Sequence, residues 1–329
     1  MPTRRRAVLI LAVLAALAGL SIALALSVGS IAVPLADVLA TLFGGGGGVA
    51  GDVVLNLRLP RALGGFACGA LLALAGALLQ VLLRNPLADP YVLGISGGAG
   101  VGAMLAILFG LTAAGVNGLA FVGALASMLL VFGLAHGEGG WTQTRLLLTG
   151  VIVAAGCGAV VALILSIAPE QKLHGMLFWL MGDLAQGGDP LLPMIALVAV
   201  LGVALPFARE LNLLARGADT AQTLGVAVGR LRSGVYLTAS LATAIVVTYA
   251  GSIGFIGLIV PHLVRLALGN DQRLLLPASA LAGGSLLVVA DTLARTVVAP
   301  QQLPVGVLTA LIGVPVFLYL LARAPLARR

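Results

Sequence analysis

The chain has 329 residues, 60% hydrophobic and only 9% charged, with 45 glycines and a mean hydropathy of +1.16. This excludes a soluble globular domain and leaves an integral membrane protein. Its apolar runs are continuous rather than alternating, so the spans are helices and not barrel strands. The net charge of +7 then speaks for arginines that set orientation, not for nucleic acid.

The first apolar run, residues 7–28 behind MPTRRR, is roughly 20 residues long, beyond the ~7–15 of a signal-peptide core. It is read as an uncleaved first span. Hydropathy gives about ten spans, near 7–30, 58–83, 91–110, 114–135, 144–167, 190–208, 233–250, 253–268, 275–297 and 304–322. An even number puts both termini on one side. With the termini inside, only Arg58, Arg61, Lys172 and Arg295 fall outside, leaving fourteen of the 18 basic residues on the cytoplasmic face. That bias fixes the orientation. The fold class is therefore all-α integral membrane, residues 1–329 forming one transmembrane domain with cytoplasmic termini.

Residues 31–57 are expected as the first outer loop, with the flexible glycine run 44–48 in its middle. In the turn RNPLADPYVLGISGG, Pro86 and Pro90 stiffen the chain, and Asn85 and Asp89 can accept from the turn backbone. It is either a well-made turn or a rigid constriction beside a pathway. Cys68 and Cys157 lie inside apolar runs and are read as small buried hydrophobes, not a disulfide.

The turn HGEGGWTQTR sets Gln143 and Thr144 at the inner mouth of the fifth span. Uncharged polar groups suit a gate, and a threonine there also suits plain helix capping. Residues 168–189 form an outer segment in which a short interfacial helix is expected over 174–184, with Trp179 at the bilayer edge and His174 solvated. In the eighth span Pro261 kinks or starts a helix, with His262 and Arg265 toward its inner end. Asp291 and Arg295, four apart, can pair along one helix face.

Residues 209–232, RELNLLARGADTAQTLGVAVGRLR, are too polar to cross hydrocarbon. Gly217 breaks the stretch. Asp219 is expected as N-cap with Gln222 completing a capping box, and Gly225 as the stop. The result is two short helices with an apolar ridge of Leu211, Leu214, Ala218 and Leu224. The ridge either packs on the protein's own underside or is offered to a soluble partner.

At these residues the chain resembles the FecCD family of permease subunits of ATP-binding cassette importers. The resemblance rests on RLPR (58–61), NPLADPYVLGISGGAG (85–100), GSIGFIGLIVPHLVR (251–265) and LPVGVLTALIGVPVFLYLL (303–321). It implies a BtuC-like fold, a homodimer with the pathway on its axis, and residence in the bacterial inner membrane as a multi-pass protein surrounded by lipid. It makes 209–232 the coupling-helix loop that docks on two ATP-binding subunits, with Arg209, Leu211, Leu214, Arg216, Asp219, Thr220, Leu224 and Arg230 at the contact. It makes Arg58, Arg61 and Arg295 the grip on a periplasmic or extracellular substrate-binding protein, the alternative being interfacial snorkelling. It places the cytoplasmic gate at Asn85, Leu87, Gln143 and Thr144.

No metal site and no cofactor are expected in this chain. A phosphate-binding loop needs Gly-Lys-Ser/Thr, and the one lysine, Lys172, lies between Gln171 and Leu173. The chain is thus not an enzyme, and ATP and Mg belong to the separate ATPase subunit. The expected cargo is an iron compound (haem or ferric siderophore) or cobalamin. The competing reading, a secondary transporter driven by an ion gradient, would use buried acids, of which Asp291 is the main candidate.

Overall fold

The structure is a computed structural model that describes residues 4–29, 32–45, 48–135 and 142–323. Among these residues every regular element is helical. In order they are α1 (Arg4–Ser27), α2 (Leu35–Leu42), α3 (Gly48–Asp52), α4 (Leu59–Leu82), α5 (Ile95–Leu108), α6 (Ala113–Ala135), α7 (Gln143–Ile167), α8 (Glu170–Met181), α9 (Leu191–Ala204), α10 (Ala208–Arg216), α11 (Ala218–Thr223), α12 (Val228–Ala250), α13 (Ile256–Leu268), α14 (Gln272–Thr296) and α15 (Val305–Arg323).

Each apolar run expected as a span contains a helix. Six helical stretches are by themselves long and apolar enough to cross a membrane: Arg5–Ser27, Gly48–Leu82, Ala113–Ala135, Gln143–Ile167, Val228–Ala250 and Gln272–Thr296. α9 and α10 together reach that length across a 67° bend. α5, α13 and α15 are shorter. The 13 residues of α13 cover about 20 Å of a ~30 Å hydrocarbon core.

α4 is the centre of the molecule. Nearly all of its residues are buried, and it packs on α14, α12, α13 and α9. Small residues set the spacing. A Cβ at Gly69 would strike the Gly283 carbonyl of α14, and one at Gly76 would strike the Gly257 carbonyl of α13. In lipid, where apolar burial drives little, such backbone proximity is how helices hold together.

α13 is short because the chain before it is unwound. Residues 251–255 are irregular, yet their polar groups are occupied. Ile253 N donates to Tyr91 Oη at 3.0 Å and Ser96 Oγ to Ser252 Oγ at 3.0 Å. Asp183 N donates to the Ala250 carbonyl at 2.8 Å. Irregular backbone among apolar helices is tolerated only when enclosed by protein in this way. Pro261 sits inside α13 rather than at its start.

Two segments expected to lie outside differ from expectation in structure. Residues 31–57 are more than a loop. They carry α2, α3 and a π-helical turn, Val53–Arg58, that extends α4 backward, and Val38 and Val54 close a small cluster with Leu26 and Val33. Gly46 and Gly47, from the glycine run, lie outside the described residues. The helix expected over 174–184 starts earlier, at Glu170, and Trp179 is buried at 4% exposure rather than placed at an interface. His174 is exposed and stacks on Phe178, with ring centroids 4.4 Å apart. Cys68 and Cys157 are free thiols.

Candidate functional site: two opposite ends of one bundle

At one end lie the start of α1, the end of α4, α10 and the turn from α13 to α14, which together enclose a cavity of about 790 Å³. α4 ends in a Schellman arrangement. Asn85 N donates to the Gln80 carbonyl and Arg84 N to the Val81 carbonyl, with Arg84 in the left-handed region at φ 47° where glycine is usual. Asn85 Oδ1 accepts from Leu87 N at 2.9 Å, and Asp89 Oδ1 accepts from Tyr91 N at 2.8 Å. The two aspartate and asparagine turns expected here are thus present. Leu87 is exposed.

The start of α7 meets this turn. Gln143 Nε2 donates to the Leu82 carbonyl at 3.1 Å, so two of the segments expected to form a gate are in contact. Thr144 is exposed and caps nothing. The N-cap is Thr142, whose Oγ1 accepts from Arg145 N. Residues 136–141 of that turn lie outside the described residues.

The 209–232 stretch forms two helices, as expected, with Gly217 at φ 140° between them. Asp219 is not the N-cap. Gly217 occupies that position without a side-chain bond, and Asp219 lies exposed in the first turn of α11. Gly225, at φ 84°, does end α11.

The ridge divides. Leu211 and Leu214 are each 1% exposed and belong to the main core, while Leu224 is 62% exposed. Leu211 and Leu214 therefore hold α10 to its own bundle and are not offered outward. The outward face carries Arg209, Arg216, Asp219, Thr220, Leu224 and Arg230, all exposed.

Asn212, which the sequence did not single out, fastens α10 to the next layer. Its Nδ2 donates to Asp271 Oδ1 at 2.9 Å, and its Oδ1 accepts from Gln272 N at 2.9 Å. Asp271 is the N-cap of α14.

At the other end, the end of α1, the start of α4, residues 184–190 and the end of α14 line a cavity of about 740 Å³. The three arginines expected to grip an outside partner all line it, but each is tied into its own chain. Arg58 is 6% exposed and donates Nη1 to the Leu26 carbonyl at 2.7 Å. Arg61 embraces Asp291, with Nη2 to Oδ1 at 2.7 Å and Nε to Oδ2 at 2.9 Å, and gives Nη1 to Gln302 Oε1 at 3.0 Å. Arg295 Nε stands 3.2 Å from Asp291 Oδ2 as the i, i+4 ion pair expected from the sequence, and Nη2 reaches the Ala25 carbonyl.

Asp291, 3% exposed, is thus shared by two guanidinium groups. Asp183 lies 3.7 Å from Arg61. The free-standing docking arginines expected at these positions are instead parts of a buried network. All three are largely enclosed, Arg61 with 13% of its side chain exposed and Arg295 with 10%. Burial without a partner would leave such charges very costly, which is why the network forms.

Among the described residues no group of three His, Cys, Asp or Glu is placed to hold a metal ion.

The FecCD transport family model matches residues 14–323. The chain belongs to the FecCD transport family. A cobalamin import system permease from Halobacterium salinarum is 45% identical over 82% of this chain and 73% of its own. A hemin transport system permease from Yersinia pestis is 43% identical over 82% of this chain and 83% of its own. A solved metal-chelate type ABC transporter in an inward-facing conformation superposes with a TM-score of 0.83 at 31% identity, covering 96% of this chain and 99% of that one.

As a FecCD protein the chain is a transport permease subunit of an ATP-binding cassette importer. It is a multi-pass protein of the inner membrane and not itself an enzyme. Permeases of this family work with ATP-binding subunits and substrate-binding proteins.

Proposed function

We propose that this chain carries a bulky iron chelate, haem or ferric siderophore, or cobalamin across the membrane as one half of a homodimer. The relatives named for cobalamin and hemin support this reading of the cargo. ATP and Mg are bound by two partner subunits, and no cofactor is held here. Ten spans, cytoplasmic termini and a single permease domain over 1–329 complete the reading. The end bearing α10 and α11 faces the cytoplasm, in line with the arginine bias.

The carrying observation is the α9–α10 bend. It turns α10 by 67° from the apolar helix before it, and α11 follows after Gly217. Arg209, Arg216, Asp219, Thr220, Leu224 and Arg230 form the exposed face that meets the ATPase. Leu211, Leu214 and Asn212 lock α10 to the bundle, so a push on that face moves packed helices as rigid bodies. The large opposite cavity receives the substrate-binding protein, with Arg58, Arg61 and Arg295 in its walls.

The gate stands at Asn85, Leu87, Gln143 and Thr144. α7, which carries two of these residues, is mostly exposed along its length. Gly156 and Gly158 have nothing within 4 Å of an added Cβ. α7 exposes Leu148, Ile152 and Leu163 on one face, and an apolar face left open by its own chain suits contact with a second copy.

The gradient-driven alternative finds no support. Asp291, its candidate acid, is paired with Arg61 and Arg295 inside the chain.

The test is uptake by proteoliposomes containing the permease, its ATPase and a loaded binding protein. ATP-dependent uptake of one of the three cargo classes supports the reading. Uptake driven by a proton or sodium gradient without ATP would overturn it.

A further inference from the structure

We infer that the 790 Å³ cavity at the α10 end is a binding site for the headgroup of an anionic glycerophospholipid. Arg84, Arg216 and Arg265 line it, with Arg6 a fourth arginine and Asp271 the one acid. Among the described residues Arg84, Arg216 and Arg265 form no salt bridge. The planar guanidinium groups of Arg84 and Arg265 match the oxygens of a phosphate, while Arg216 is also exposed on the face assigned to the ATPase.

Two further side chains give the site its second half. Gln80 and Gln272 line the same cavity at 3% and 2% exposure, and the Oε1 atom of each lacks a hydrogen-bond partner. The Gln80 amide cannot simply be turned round, because its Nε2 already donates to the Leu258 carbonyl at 3.1 Å. Buried acceptors left open in this way call for a donor. A ligand that matches the arginines carries an anionic phosphate, and hydroxyl donors next to it meet the two glutamine oxygens once those enclosed side chains turn toward the cavity. Phosphoglycerol has both.

The walls favour a lipid over a free ion. Ile10 of α1 lines the cavity. Beyond it α1 exposes Val13, Leu17, Leu20 and Leu24, at 51%, 49%, 65% and 44%. An acyl chain can follow this stripe while its headgroup sits among the arginines, the arrangement expected of a basic pocket between membrane helices. The site also touches Asn212 and Asp271, the joint between α10 and α14, so its occupant would brace that joint. Assignment to the cytoplasmic leaflet rests on the orientation proposed above, whereas binding itself does not.

The test is native mass spectrometry of the full-length chain in detergent, titrated with phosphatidylglycerol, phosphatidylcholine or inorganic phosphate. The expected result is at least tenfold tighter retention of phosphatidylglycerol than of phosphatidylcholine. The paired substitution Arg84→Gln with Arg265→Gln should remove that preference, while Arg273→Gln, exposed and outside the cavity, should keep it. If the paired variant does not fold, competition on the unaltered chain decides the matter. Glycerophosphoglycerol should displace the bound lipid at millimolar concentration. Equal retention of both lipids, equal loss with Arg273→Gln, failure of the competitor, or saturation by inorganic phosphate at the same affinity would each overturn the inference.

Discussion

Asn212 in α10 donates to Asp271, the N-cap of α14, at 2.9 Å, and the same side chain accepts from Gln272 N. Both ends of one short amide are used, so α10 cannot shift without α14. That helix has 25 residues, about 37 Å of rigid rod, and near its far end Asp291 holds Arg61. One element thus links the exposed α10–α11 face with the cavity at the opposite end. Asn212→Ala should cost only about 1–2 kcal/mol of stability yet lower the number of cargo molecules moved per ATP several-fold. Stoichiometry in proteoliposomes is the readout, and an unchanged ratio would show that α14 transmits nothing.

Asp291 is the counter-charge for two arginines in a largely dry setting. Asp291→Asn leaves both guanidinium groups with a neutral neighbour. Breaking a buried pair from one side costs about 3–5 kcal/mol, so a large fall in thermal midpoint is expected in detergent. Adding Arg295→Met should recover part of the loss, because one of the two stranded charges is then gone.

The apolar ridge separates stability from coupling. Leu214 is 1% exposed, and Leu214→Ala should destabilise the fold by about 2–5 kcal/mol through the cavity it leaves. Leu224 is 62% exposed, and Leu224→Ser should leave unfolding within about 0.5 kcal/mol of the parent while weakening ATPase association. Pull-down with the tagged ATPase, next to a thermal unfolding curve, distinguishes the two. Loss of association with Leu214→Ala but not Leu224→Ser would reverse the assignment.

Burial pushes the Asp89 carboxyl, in the turn between α4 and α5, up from 3.8 to about 6, against the opposing effect of the Tyr91 N–H. A raised carboxyl favours the neutral form in the fold. Its stabilising contribution is complete below pH 3.8 and is lost as pH climbs through 6. Stability should therefore decline over that window. Asp89→Asn keeps an acceptor for Tyr91 N and should flatten the decline, with a gain of about 1–3 kcal/mol at neutral pH. Unfolding midpoints measured from pH 4 to 7.5 check this, and an unaltered slope in the variant would assign the effect to another group.

Much of this architecture is legible in residue order. Continuous apolar runs mark the helices, and Gly217 and Gly225 mark the limits of α11. Local spacing also foretells the Asp291–Arg295 pair, since residues four apart share a helix face. What it does not foretell is contact across 230 residues, as between Arg61 and Asp291. Nor can it say which face of α10 turns inward. Leu211, Leu214 and Leu224 look alike in sequence, and only the packing of α10 on the bundle shows the first two buried while Leu224, just past α11, is exposed. Arg58 misled for the same reason, because an arginine on the poorer side of a charge count looks like a free one until its partners, the carbonyls of Leu26 and Ser27, are brought to it by the packing of α1.

The most direct measurement is ATPase activity in liposomes that hold the permease with its ATP-binding subunits, before and after adding a binding protein loaded with haem, a ferric siderophore or cobalamin. The account predicts low basal turnover that rises with one loaded binding protein and loses that response in Arg216→Ala, whose side chain lies on the exposed face of α10. A response that survives Arg216→Ala and Leu224→Ser together would contradict the placement of the coupling surface on α10 and α11.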